Sequence, residues 1–322
     1  MSGVPVIDLS HDDAASALVD AFATVGFAEL AGHGVSESAH ASLRDQCDQF
    51  FALPVEDKLR YVHPAPEANR GFRAKGSEAL SYSLGEASPP DLFESFNCAS
   101  SRRASDDPLM QPTPWPDDTV PRFEAAAHVW LAEMEQLASR LDTMLRDALG
   151  FDLAAISQAG PDTMACIDYR PGPGGDEPTV KGQQRMGAHS DYTTFTILAA
   201  DPVPGLEIVG PSGSWMPVIA APGNLLVNVG DVLAMLTNDQ WPSTLHRVVP
   251  MAAGAAPRRR SIAYFHYPDL DVLVEPQPRF IITGEQSHYL PATVADHLLG
   301  KLTAPKTRDP ATSASTVAGR TL

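Results

Sequence analysis

The chain has 322 residues, 43% of them hydrophobic and 20% charged, with a formal net charge of −17. That length buries a substantial core, as one large domain or two intimately packed ones, and the composition speaks against general disorder. The acidic balance argues against a nucleic-acid surface, whose phosphates select Lys/Arg-rich faces, and says little about the chemistry of a pocket. Cys47, Cys98 and Cys166 are odd in number and widely spaced, with no C-x-x-C pair. They predict buried or free thiols in a reducing, cytoplasmic setting. Residues 1–8 carry neither a basic leader nor an apolar h-region, and no apolar run is long enough to span a bilayer, so a soluble protein away from membranes is expected.

In chain order, residues 4–9 (Val-Pro-Val-Ile-Asp-Leu) read as a short strand, with Ser10 or Asp12 placed to cap the helix behind it. That helix carries Ala15, Leu18, Val19, Phe22 and Val25 at helical spacing and stops at Gly26. Residues 27–30 read as a second strand, turning at Gly32-His33-Gly34. A second amphipathic helix runs from Ser36 to about Phe51, where Leu53-Pro54 breaks it. Residues 64–118, rich in Pro, Ser, Asp and Gly, read as irregular. Residues 119–150 hold the longest helical signal. Phe123, Ala127, Trp130, Met134, Leu137, Leu141, Leu145 and Leu149 form its stripe, Pro121 suits its first turn and Gly150 its end. From Met164 onward the hydrophobic period shortens from helical to alternating. Residues 193–197, 205–209, 215–218, 224–228 and 261–265 read as strands separated by Gly, Pro and Asp turns. Many short strands of this kind predict a sandwich or jelly roll. Residues 301–322, rich in Thr, Ser, Ala and Pro, read as a mobile tail, and there is no internal repeat.

Chemistry concentrates in His189-Ser190-Asp191, with His246 and then Arg259-Arg260-Ser261 beyond it. Two imidazoles and a carboxylate can occupy one face of a non-haem iron and leave the remaining positions open. On a strand, alternation would point His189 and Asp191 to one face and Ser190 to the other. His246 follows after an interval long enough for several short strands. Arg259 and Ser261 share a face by the same alternation, with residues 251–257 as the loop before them. An arginine fork with a neighbouring hydroxyl suits a carboxylate, each charge-assisted bond contributing roughly 1.5–3 kcal/mol. Each residue also has a plainer explanation. A histidine on a strand is more often packed than ligating, H-x-D recurs by chance, and Arg258-Arg259-Arg260 alone would be a solvated turn. Order and spacing together are what accident does not supply. His11, His33, His40, His63, His128, His288 and His297 read as structural, and His266, the strongest rival ligand, falls on the strand face opposite Ser261 and Ala263.

On these residues the chain resembles the isopenicillin N synthase-like branch of the 2-oxoglutarate/Fe(II)-dependent oxygenases, over roughly residues 4–295. The likeness also rests on Val4-Pro5-Val6-Ile7-Asp8, Gly26-Phe27, His33-Gly34-Val35, Phe50-Phe51-Ala52-Leu53-Pro54 with Lys58, and Pro114-Trp115-Pro116. In the core it rests on His189-Ser190-Asp191-Tyr192, Gly205-Leu206, Asn228-Val229-Gly230-Asp231 and Ser243-Thr244-Leu245-His246-Arg247-Val248. The resemblance implies an α+β, mainly β fold: a double-stranded β-helix (jelly roll) with a helix-rich N-terminal region and a long supporting helix. It divides the chain into residues 1–118 (N-terminal region), 119–302 (long helix and catalytic core) and 303–322 (flexible tail).

The same resemblance implies Fe(II) held by His189, Asp191 and His246, 2-oxoglutarate held at its distal carboxylate by Arg259 and Ser261, and O2 as oxidant. Tyr169 would hydrogen-bond the cosubstrate, although Arg170 stands where the family usually has proline. Asn228 and Asp231 read as turn or supporting residues. Halogenating relatives replace the carboxylate with a small residue; its presence at Asp191 points to hydroxylation or desaturation of a small-molecule metabolite, with succinate and CO2 released. Two alternatives stay open, an isopenicillin N synthase-type Fe(II) oxidase that does not use 2-oxoglutarate and a non-catalytic metal- or ligand-binding jelly roll. A monomer working in specialised, antibiotic-type metabolism is the expected setting. The pocket is expected from residues 64–105, from Tyr192 and Phe195, and from the region after Phe265, with Phe72, Tyr82, Phe93 and Phe96 as contacts or core.

Overall fold

A computed structural model describes residues 3–85, 88–100, 104–170, 180–251 and 258–307. The chain opens with β1 (Val6–Asp8), α1 (Ala14–Thr24), β2 (Phe27–Ala31), α2 (Glu37–Ala52) and α3 (Val55–Lys58). Next come β3 (Gly71–Arg73), β4 (Glu94–Cys98), the long α4 (Phe123–Leu149) and α5 (Leu153–Ile156). The strand-rich half holds β5 (Thr163–Tyr169), β6 (Met186–His189), β7 (Phe195–Ala200), β8 (Leu206–Val209), β9 (Trp215–Pro217) and β10 (Leu225–Val229). It ends with α6 (Asp231–Leu236), β11 (His246–Val248), β12 (Arg259–His266), β13 (Leu273–Val274), β14 (Ala292–Thr293) and α7 (Val294–Thr307).

Local chemistry explains most boundaries. Ser36 caps α2, its hydroxyl accepting from Ala39 N at 3.2 Å. Neither expected cap serves α1: Asp13 stands at its N-cap with no side-chain bond. Ser10 is instead drawn back to Asp8 Oδ1, donating from its backbone N at 2.9 Å and its hydroxyl at 2.6 Å. The long helix starts at Phe123, so Pro121 lies ahead of it rather than in its first turn, yet every residue of the expected stripe is buried.

Eight strands form the larger sheet in the order β1-β2-β10-β7-β12-β5-β4-β3, and β6-β11-β8-β9 form a second. The two face each other as a jelly roll. Alternation sends Ile262 and Tyr264 of β12 into the layer under α1, α2 and α4, while Ala165, Ile167 and Tyr169 of β5 meet Leu206, Ile208 and Val248 of the second sheet. Under the helices, Phe50 gathers Phe51, Tyr61, Phe72, Phe96 and Phe123 at ring separations of 4.9–6.0 Å. Phe72 and Phe96 are therefore core, not pocket.

Two stretches differ from expectation. Residues 64–118 are not irregular throughout, because β3 and β4 extend the larger sheet. The cavity-lining residues Arg73, Ser95 and Asn97 are polar, which removes the apolar alternation that marks a strand. The expected tail from residue 301 is partly helical, since α7 runs to Thr307. Lys301 Nζ lies 3.1 Å from Asp231 Oδ2, and Leu302 reaches the inter-sheet cavity. The remainder of that tail, and the 251–257 loop beyond Met251, lie outside the described residues. Cys47, Cys98 and Cys166 are buried and unbridged. Among the described residues no helix is long and apolar enough to cross a membrane.

Candidate active site

β6 and β11 pair antiparallel, which makes His189 and His246 direct cross-strand partners with ring centroids 4.3 Å apart. Asp191 lies just past the end of β6, so strand alternation is not what orients it. A clamp does so instead. Its carbonyl accepts from Asp231 N at 2.7 Å, and its Oδ2 accepts from Asn228 Nδ2 at 2.7 Å. Oδ1 is left facing the imidazoles, 3.8 Å from His189 Nε2 and 3.6 Å from His246 Nε2. Gly230 makes the clamp sterically possible, since a Cβ there would lie 2.1 Å from Thr193 O.

The histidine tautomers follow from their partners. Nδ1 of His189 lies 2.8 Å from Gly187 O, and Nδ1 of His246 lies 3.1 Å from Thr244 O. A carbonyl only accepts, so each Nδ1 carries the proton and each Nε2 offers a lone pair to the centre. Burial, reinforced by His246, holds His189 down to about 4, which keeps it neutral near pH 7. The three ligand atoms lie within 4.8 Å of one another, and among the described residues no other group of three His, Cys, Asp or Glu does so. Two imidazole nitrogens and one carboxylate oxygen fit a divalent transition metal and leave part of its sphere open.

The second half of the site is on β12. Register sets Arg259 opposite Tyr169 of β5, its guanidinium 5.1 Å from the phenol ring centre. Arg259 is 2% exposed, and its Nε and Nη1 have no partner among the described residues. A buried cation with idle donors is costly unless an anion completes it, and a planar fork selects a carboxylate. Ser261 opens into the same cavity. Tyr169 is kept a neutral phenol by burial, its hydroxyl 3.6 Å from Met186 Sδ. On the other face, Arg258 Nη1 reaches Asp48 at 2.6 Å, while Arg260 bonds Asp48 at 2.7 Å and Asp201 at 2.8 Å. The basic run is thus one idle guanidinium between two neutralised ones.

His266 stands on the face away from the cavity, 3.1 Å from Asp142 Oδ2 and 3.2 Å from Asp162 Oδ2. Burial opposes its charge, but Asp162 and Asp142 outweigh that and push it up to about 10. It is a structural cation and no ligand.

All six expected site residues (His189, Asp191, His246, Arg259, Ser261 and Tyr169) line one cavity of about 140 Å³ between the sheets. Phe93, Tyr192 and Phe265 reach it too, whereas Tyr82 and Phe195 do not. The expected segment 64–105 does line the cavity, but sequence reasoning did not single out Asn69, Arg73, Glu78 and Asn97 along that wall. The only local sign was Asn69 beside Gly71, both at positive φ in the turn entering β3. It also missed Asp91, which accepts from Gly187 N and Leu80 N at 2.9 Å each and ties that wall to the histidine strand. Burial raises Asp91 to about 7.

Comparison with known proteins identifies the family. Residues 161–268 match the 2OG-Fe(II) oxygenase superfamily, and residues 4–118 match the non-haem dioxygenase in morphine synthesis N-terminal family. The 2-oxoglutarate-Fe(II) type oxidoreductase ppzD of Metarhizium rileyi is 32% identical over 84% of this chain and 80% of its own. Validamycin A dioxygenase of Streptomyces hygroscopicus subsp. limoneus is 29% identical over 92% of this chain and 85% of its own. Among solved structures, a full-length Neurospora crassa protein in complex with alpha-KG superimposes with a TM-score of 0.79 at 26% identity, covering 93% of this chain and 96% of that one. The chain belongs to the 2OG-Fe(II) oxygenase superfamily, with Fe(II) and 2-oxoglutarate as its cofactor and cosubstrate.

Proposed function

We propose that the protein hydroxylates or desaturates a small-molecule metabolite, with His189, Asp191 and His246 as the iron ligands and Arg259, Ser261 and Tyr169 as the 2-oxoglutarate contacts. The observation that carries this reading is the idle Arg259 fork, which opens into the cavity that holds the triad. It also favours 2-oxoglutarate use over an oxidase without that cosubstrate, because a distal carboxylate is what the fork lacks. When bound, the iron supplies the oxidising chemistry, coupling decarboxylation of 2-oxoglutarate to succinate with oxidation of a substrate carbon by O2.

The chain's own residues position and exclude. Arg259 and Ser261 hold the far carboxylate of the cosubstrate and fix its approach. The carbonyls of Gly187 and Thr244 keep the Nδ1 protons, and Asn228 with Asp231 keeps Asp191 Oδ1 turned inward. Ile167, Leu198, Leu206 and Val248 make an apolar wall that keeps water from the reacting carbon. A metabolite substrate is also supported by the validamycin A dioxygenase relative. A cytoplasmic monomer is part of the proposal: the six site residues come from one chain, and three unbridged buried thiols suit a reducing compartment.

The test is Fe(II)- and O2-dependent succinate formation from 2-oxoglutarate. His246→Ala in metal-scrubbed buffer is expected to form none while keeping a cooperative unfolding transition. Normal succinate from that variant would overturn the reading.

A further inference from the structure

We propose that the substrate docks its head group on the side-chain carbonyl of Asn97, and that this head group is a neutral hydrogen-bond donor (an amide or lactam N–H, or a hydroxyl) on a mainly hydrocarbon body. The proposal rests on the oxygenase reading and names the substrate class of the same cavity. Asn97 faces Ala165 of β5, which faces Ala263 of β12. Two strand spacings, about 10 Å, thus separate it from the strand that carries Arg259 and Ser261. The head group therefore does not compete with the cosubstrate.

The hydrogen-bond chain in this wall fixes which atom faces the cavity. Arg73 Nη2 donates to Asn69 at 2.7 Å. A guanidinium has only donors, so the Asn69 atom it meets is the carbonyl oxygen. The same oxygen receives Asn97 Nδ2 at 2.8 Å, which commits the Asn97 amino group to Asn69. Asn97 Oδ1 is what remains: buried, without a partner among the described residues, on a residue of the cavity wall. Asn69 holds the chain in place at φ 53, a conformation that Asn tolerates better than most residues with a Cβ.

Charge excludes the rival head groups. The cation of the cluster, Arg73, is already committed, Nη1 to Glu78 Oε1 and Nη2 to Asn69. A substrate carboxylate would meet the negative end of the Asn97 carbonyl and find no idle guanidinium there. An ammonium group would lose its hydration against hydrocarbon neighbours, and the nearby carboxylate, Glu78, is already committed to Arg73. A neutral N–H or O–H pairs the idle acceptor at no charge cost. Next to it, Ala165, Ile167, Leu198 and Ala263 offer only hydrocarbon.

The test uses matched fragments in ligand-observed NMR, with the protein loaded with Zn(II) and 2-oxoglutarate: 2-piperidone against N-methyl-2-piperidone, cyclohexanol against methoxycyclohexane, and cyclohexanecarboxylate. The donor-bearing members are expected to bind about tenfold more tightly than their methylated partners, the factor one hydrogen bond confers. Asn97→Leu is expected to erase that preference, whereas Asn69→Asp, which keeps both acceptor bonds, retains it. Equal or better binding of the methylated or carboxylate members, or of no fragment at all, overturns the proposal, as does a preference that survives Asn97→Leu. If Asn97→Leu fails to fold, the matched pairs on the wild type decide alone. Calorimetric 2-oxoglutarate binding on the same sample reports separately on the oxygenase reading.

Discussion

The two faces of β12 hold buried cations in opposite conditions. On the outer face His266 is pinned between Asp142 and Asp162, with Tyr264 sharing Asp162 at 2.5 Å, so its charge is answered entirely within the protein. On the inner face Arg259 is just as deeply buried but leaves two donors unanswered. A cation that the fold completes belongs to the architecture; one that the fold leaves incomplete awaits a ligand. Burial alone does not distinguish them, but hydrogen-bond accounting does.

The comparison can be broken in four ways. Asp191→Ala should abolish succinate formation, because it removes the only carboxylate of the triad, and succinate at the wild-type rate would show that the metal is held elsewhere. His266→Gln should cost about 3–5 kcal/mol of stability near pH 7, the usual penalty for breaking a buried ion pair, while leaving the KM for 2-oxoglutarate unchanged. Chemical denaturation reads the first quantity and steady-state kinetics the second. The sign with pH is set by His266 being raised from 6.5 to about 10 in the folded chain. Its contribution is complete below 6.5 and lost as pH climbs through 10, so the wild type should lose more stability across that window than His266→Gln. Arg259→Lys should raise the KM for 2-oxoglutarate by roughly 10- to 100-fold, because an ammonium cannot reproduce the fork. An unchanged KM would place the carboxylate elsewhere. Asn228→Ala should weaken metal binding by about 10-fold or more by freeing the Asp191 carboxylate, with less effect on stability. Metal titration followed by thermal unfolding separates the two.

The chemistry was more legible than the cavity. His189, Asp191, His246, Arg259 and Ser261 announce themselves through residue type, order and spacing, and the stripe of α4 through helical period. The reason for Asp191's orientation was not legible, since it depends on Asn228 and on a backbone contact that Gly230 permits. Nor were β3 and β4 readable as strands. Arg73, Ser95 and Asn97 are polar where they line the cavity, so they erase the alternation by which strands are read. The residues that shape a substrate pocket are those that local pattern rules describe least well.

Helix α7 adds a consequence of its own. A polypeptide cut ahead of Val294 would keep every side chain proposed for iron and 2-oxoglutarate, yet would lose Leu302 from the cavity wall and the Lys301 contact with Asp231. Part of the containment therefore resides in a stretch of polypeptide separate from the one that carries the reactive site. Such a shortened enzyme should consume cosubstrate in futile turnover, with the oxidising power released to solvent instead of reaching a bound molecule.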